Sequence, residues 1–125
     1  MSKPVFLLDG YVVTFEAEPE HMNKRNHFRK ECGWTEAQYR QIERFPWFSA
    51  KVTLWKDGKE LATDYLGGCC YKTEDEFWTR YKADYFADMV HECFCEAALA
   101  THDRSESRTL RELADKARLL LRGEK

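Results

Sequence analysis

The sequence predicts an α+β domain: an antiparallel sheet of three to five strands packed against a long helix, with additional short helices and a C-terminal amphipathic helix. Three observations carry this expectation. Two Asp-Gly dipeptides, Asp9-Gly10 and Asp57-Gly58, each lie between β-rich runs and supply the positive φ angles of a tight hairpin turn. From Trp47 to Trp55 the side chains follow a period of two, with Phe48, Ala50, Val52 and Leu54 on one parity, as in a half-buried strand. After Thr73 the apolar residues recur at helical spacing instead.

Taken in order, Val5 to Leu8 and Tyr11 to Ala17 make an N-terminal hairpin about Asp9-Gly10. Glu18-Pro19-Glu20 reads as a helix start, because proline suits a first helical turn and carboxylates oppose the positive end of the helix dipole; this helix is expected to run to about Cys32. Gly33 fits the left-handed position that closes it. Thr35 and Gln38 form a capping box that opens a second short helix, which stops before Pro46.

The strand from Trp47 turns at Asp57-Gly58 and returns over roughly Lys59 to Leu66. Gly67-Gly68 then marks a bulge, a sharp bend or a close backbone approach, and Cys69 to Tyr71 is a candidate third short strand. Thr73 and Glu76 form another capping box. The helix it opens, over 74–99, places Phe77, Tyr81, Tyr85, Met89, Cys93 and Ala97 on one face.

The polar, aperiodic stretch 101–107 reads as a linker or loop after a single domain of residues 1–100. Residues 108–123 form the last helix. Its apolar stripe, Leu110, Leu113, Ala114, Ala117, Leu120 and Leu121, docks on its own domain or pairs with a second copy as a homodimer, and Gly123 closes its end.

Composition narrows the function classes. The 125 residues, 43% hydrophobic and 14% aromatic, suffice for one core. Charged residues make up 34% yet nearly cancel, to a formal −2, so the total charge argues neither for general nucleic-acid attraction nor for an acidic mimic of it. The short N-terminal apolar run is neither a secretory signal nor a membrane span, so a cytoplasmic protein with no membrane partner is expected. Five cysteines, an odd number without secretory context, favour reduced thiols packed as small apolar groups.

No catalytic signature, phosphate loop or metal-spaced ligand set is present, so no catalytic residue, cofactor or metal is assigned. His91-Glu92-Cys93-Phe94-Cys95 resembles a ligand cluster only on paper: residues 93 and 95 point to different sides of a helix, and only His91 and Cys95 share a face. A metal- or thiol-dependent protein using Cys69, Cys70, His91 and Cys95 is the runner-up reading, although the paired Cys-x-x-Cys knuckles of structural zinc sites are missing. A nucleophilic cysteine requires a histidine beside it, and sequence does not say which of His21, His27, His91 and His102 approaches a thiol.

Two groups of residues are candidate partner contacts. Trp47 and Trp55 share the strand parity opposite the apolar one, where exposed tryptophans mark an interface and covered ones a second packed face. Lys24, Arg25, Arg29 and Lys30 form the densest basic cluster, suited to an acidic partner or to phosphate. Nearby Glu16, Glu18, Glu20 and Glu31 favour a mixed, solvated face. Nucleic-acid binding through residues 19–32 and the basic tail is therefore a lesser alternative.

The order Trp47-Phe48-x-x-Lys51-Val52, Lys56-Asp57-Gly58, Tyr65-Leu66-Gly67-Gly68-Cys69-Cys70-Tyr71, Glu74-Asp75-Glu76-Phe77 and Tyr85-Phe86-x-Asp88-Met89-Val90 resembles small uncharacterised proteins of bacteriophages, prophages and integrative elements, over about residues 47–95. The resemblance implies a non-enzymatic interaction module that acts stoichiometrically on a host protein complex, as an inhibitor of the anti-CRISPR or anti-restriction kind. It assigns no role to individual residues.

Overall fold

The computed structural model describes residues 2–123. Four strands, β1 (Lys3–Leu8), β2 (Tyr11–Pro19), β3 (Trp47–Lys56) and β4 (Lys59–Cys70), form one antiparallel meander in the order β1-β2-β3-β4. The two Asp-Gly dipeptides make the hairpins: φ is +49° and +84° at Asp9 and Gly10, and +51° and +77° at Asp57 and Gly58, the pair of left-handed residues a type I′ turn requires.

Alternation along β3 is as the period predicts. Phe48, Ala50, Val52 and Leu54 are at most 2% exposed and meet Val13 and Phe15 of β2 on the same face. The return strand does not end at the glycines. Phe48 pairs with Cys69 and Ala50 with Leu66, so β4 carries one extra residue at Gly67-Gly68, a bulge after which pairing resumes.

Between the sheet halves lies the largest departure from expectation. No helix begins at Glu18-Pro19-Glu20, because β2 continues to Pro19 and pairs it with Phe48; proline is tolerated at the end of a strand, and the pull of the ladder overrides the N-terminal helix signal. Helix starts only after Asn23, whose side chain accepts from the Asn26 amide at 2.9 Å. Helix α1 (Lys24–Asn26) widens at once into a π-turn, His27–Glu31. Gly33 then adopts φ +72°, and the Thr35–Gln38 capping box opens α2 (Glu36–Arg40) as expected.

The helix expected over 74–99 is broken. Its capping box holds only a 3₁₀ turn, Glu74–Phe77; a π-turn follows at Lys82–Phe86, with Asp84 at φ −88°, ψ −126°, and α3 proper is Ala87–Ala100. The break rotates the buried face. Phe77, Met89, Cys93 and Ala97 lie in the core as expected, but Tyr85 is 60% exposed, Tyr81 is only half-buried, and Phe86, Val90 and Phe94 are fully buried instead.

Only 101–103 connect α3 to α4 (Arg104–Arg122); residues 104–107, expected as loop, are helical because the Asp103 carboxylate accepts from the amides of Ser105 and Glu106 at 2.9 and 3.1 Å. Helix α4 lies against α3 and buries Leu110, Leu113, Ala114, Ala117 and Leu121 on its own domain, whereas Leu120 is half exposed. Gly123 closes it at φ +72°.

The core thus lies between one face of the sheet and α3 with α4. Tyr11 meets Phe94 edge-on at 5.6 Å, and Phe15 stacks on Phe77 at 5.8 Å. Phe94→Ala is expected to cost about 3–5 kcal/mol in urea denaturation, the usual loss for a buried aromatic, and Leu120→Ala no more than about 0.5 kcal/mol; equal losses would contradict the placement of the two residues.

Candidate functional site

Helix α3, backed by α4, covers one face of the sheet, and strand pairing identifies the residues of the other. Directly paired residues share a face and alternate along each strand, so Leu7, Val12 and Trp55 form one row, Thr14, Thr53 and Thr63 a second, and Glu16, Lys51 and Tyr65 a third. Among the described residues no helix packs on these rows. Leu7 is 70% and Tyr65 56% exposed, while Thr53 at their centre is buried by its neighbours.

Trp55 is half-buried, its Nε1 donating to Thr14 Oγ1 at 2.9 Å. Thr63 donates to Thr53 at 3.3 Å, and the Lys51 ammonium stands 5.9 Å from the Tyr65 ring centre. The rows therefore hold a firm, amphipathic surface with its aromatic groups already oriented.

Trp47, on the same face at the far end of β3, is half-buried like Trp55, but against residues 20–45 of its own chain. Its Nε1 donates to the Met22 carbonyl at 2.8 Å, and its ring meets His27 at 5.4 Å and Phe28 at 5.7 Å. Phe28 also contacts Trp34 and Tyr39, so residues 20–45 carry a small aromatic cluster of their own that caps this corner of the sheet. The glycine bulge anchors it: the Gly68 amide donates to Glu20 at 2.7 Å, and a Cβ on Gly67 would stand 2.9 Å from that carboxylate. Beside the bulge lies a groove of about 350 Å³ lined by residues that include Gly67, Gly68, Cys70, Met22, His27 and Tyr85.

The basic cluster is largely engaged within the chain. Lys24 Nζ donates to the carbonyls of Ile42, Glu43 and Phe45 at 2.7, 2.9 and 2.7 Å, tying α1 to the end of the α2 segment. Arg25 and Arg29 both pair with Glu36, and Arg29 also donates to the Trp34 carbonyl. Arg25 holds the Glu36 carboxyl below its ordinary range. Lys30 is exposed. Of the expected 19–32 helix only Lys24–Glu31 is helical, and its second part is a π-turn.

The runner-up set Cys69, Cys70, His91 and Cys95 does not converge. Cys69 and Cys70 end β4 against the start of β3, whereas His91 and Cys95 lie on α3 toward α4. Among the described residues no three His, Cys, Asp or Glu groups are placed to hold a metal ion. Burial pushes the Cys69 thiol up to about 11 and Cys93 to about 12, and raises Cys70 and Cys95 as well, which suits packing rather than nucleophilic thiols.

Two histidines do approach thiols. His91 stands 3.8 and 3.9 Å from Cys95 Sγ through its two ring nitrogens, with Asp115 3.1 Å from Nε2. His27 Nε2 stands 3.7 Å from the exposed Cys32, with Glu31 2.9 Å from Nδ1. Sequence reasoning missed the second group. Residues five apart are about 140° apart on an α-helix, and only a π-turn brings them together.

No family model, curated protein or solved structure matches this chain. No described helix is long and apolar enough to cross a membrane.

Glu20 yields a pH prediction. Hydrogen bonds from the backbone amides of Met22 and Gly68 lower its pKa from the ordinary 4.5. The ionised form therefore favours folding; that contribution is complete above pH 4.5 and disappears as pH falls through the depressed value. Glu20→Gln is expected to remove this part of the acid limb in a stability-versus-pH series, leaving a smaller loss between neutral and acid pH than in the parent chain.

Proposed function

We propose that this chain is a non-enzymatic interaction module that binds a partner protein at fixed stoichiometry through the uncovered face of its sheet. One observation carries the reading: the rows from Leu7 to Trp55 and from Lys51 to Tyr65 present apolar and aromatic groups on a face that α3 and α4 leave open. Tryptophan and tyrosine held in a fixed orientation give contact area at little entropic cost, the property that makes them binding hot spots.

Face binding is favoured over strand addition at the edges. The outer strands each carry a bulge, at Val5 in β1 and at Gly67-Gly68 in β4, and Pro4 lies in β1; bulges and edge proline are the devices that hinder edge pairing.

The setting comes from the resemblance of residues 47–95 to small proteins of phages and integrative elements. It makes the partner a host protein complex and the action inhibition of host defence, of the anti-CRISPR or anti-restriction kind, by occupying a surface of that complex in the host cytoplasm. The engagement of Lys24, Arg25 and Arg29 within the chain favours Trp55, Tyr65 and Leu7 as the leading contacts.

Purification from the native host is expected to yield the chain with a defined partner in constant ratio. Leu7→Asp and Tyr65→Ser, both at exposed positions and compatible with the fold, are each expected to weaken that complex at least about tenfold, the effect of losing a central contact. Binding at parental strength by the double variant would refute this face as the docking surface.

A further inference from the structure

We propose that Cys32 is a reactive thiol, activated by His27 and Glu31, which takes up a small-molecule disulfide as a mixed disulfide. The site is built by the π-turn. Its closing hydrogen bond runs from the Cys32 amide to the His27 carbonyl at 3.0 Å and brings Sγ to 3.7 Å from His27 Nε2. The two ring nitrogens have different partners: Glu31 accepts from Nδ1–H at 2.9 Å, which leaves the Nε2 lone pair for the thiol proton.

The imidazole is fixed by packing. Phe28 meets it edge-on at 5.0 Å and Trp47 at 5.4 Å. Cys32 is an exposed residue, and Gly33, next in the chain, has no side chain to shield it.

The second thiol and histidine pair lacks this arrangement. Cys95 Sγ is almost equidistant from both nitrogens of His91 and so lies on neither N–H axis, and it is half-buried. Proximity of imidazole and sulfur and a carboxylate on one ring nitrogen are shared by the two sites; a sulfur within reach of a single ring nitrogen, the one that Glu31 leaves free, and an exposed position belong to Cys32.

In the step itself, the Cys32 proton passes to His27 Nε2 as Sγ attacks one sulfur of a disulfide RSSR. The Cys32–S–S–R bond forms, the R–S–S–R bond breaks, and the departing thiolate takes the proton from the imidazolium and leaves as RSH. Cys32 is oxidised to the mixed disulfide while half of the reagent is reduced to thiol. Glu31 stabilises the imidazolium during the transfer.

The test is reaction of the reduced chain with oxidised glutathione, with the adduct located by peptide mass mapping over time. Cys32 is expected to acquire the adduct first, and His27→Gln and Glu31→Gln each to slow it about tenfold. In urea-unfolded chains all three proteins should react at Cys32 at one rate. The Glu31 side chain is 67% exposed, so Glu31→Gln leaves the fold in place should His27→Gln loosen the contact with Trp47. A Cys32 rate unchanged by both substitutions, or an adduct that forms first at Cys70 or Cys95, would overturn the proposal.

Discussion

Everything in this fold depends on the parity of β3. The strand pairs with β2 on one side and β4 on the other, so its alternation is imposed on both neighbours and fixes which side of the sheet becomes core. Phe48, Ala50, Val52 and Leu54 give α3 an unbroken apolar floor. The opposite parity, with Ser49, Lys51, Thr53 and Trp55, is too polar to bury a second helix layer and yet keeps two tryptophans. A slip of one residue would exchange the faces, and the long double pairing of β3 opposes it.

What the same parity does with its tryptophans differs at the two ends. At Trp47 the bulge in β4 and the Glu20 carboxylate bring residues 20–45 over the sheet, and the indole becomes the base of an aromatic cluster with Phe28, Trp34 and Tyr39. At Trp55 nothing comparable arrives, and the indole rests on Thr14. A surface already half assembled within one chain, and open beyond it, is the physical basis for assigning the remainder to a partner.

Much of the fold was legible because its signals were local: the Asp-Gly turns, the period-two strand, the Thr35 capping box and the stripe of α4 each need only a few neighbouring residues, whereas the Asp103 cap, inside a stretch that reads as loop, was not recognised. The failures came where tertiary pairing won. Pro19 carries a helix-start signal, but its pairing with Phe48 keeps it in the sheet. The capping box at Thr73 is formed, yet the chain leaves helical geometry at Asp84, which exchanges Tyr81 and Tyr85 for Phe86, Val90 and Phe94 in the core. The candidate surface was half legible: parity singled out Trp47 and Trp55, but only cross-strand register adds Leu7 and Tyr65. The His27, Glu31 and Cys32 group was not legible, since it depends on a π-turn that helical spacing does not predict.

Hydroxyl-radical footprinting of the free chain tests the central claim, that one face of the sheet is core and the other open, most directly. Early oxidation of Leu7 and Tyr65 is expected, with Phe48, Leu54 and Phe94 unreacted until the chain unfolds. Protection of Leu7 and Tyr65 in the free monomer, or early oxidation of Phe48 and Leu54, would contradict that claim.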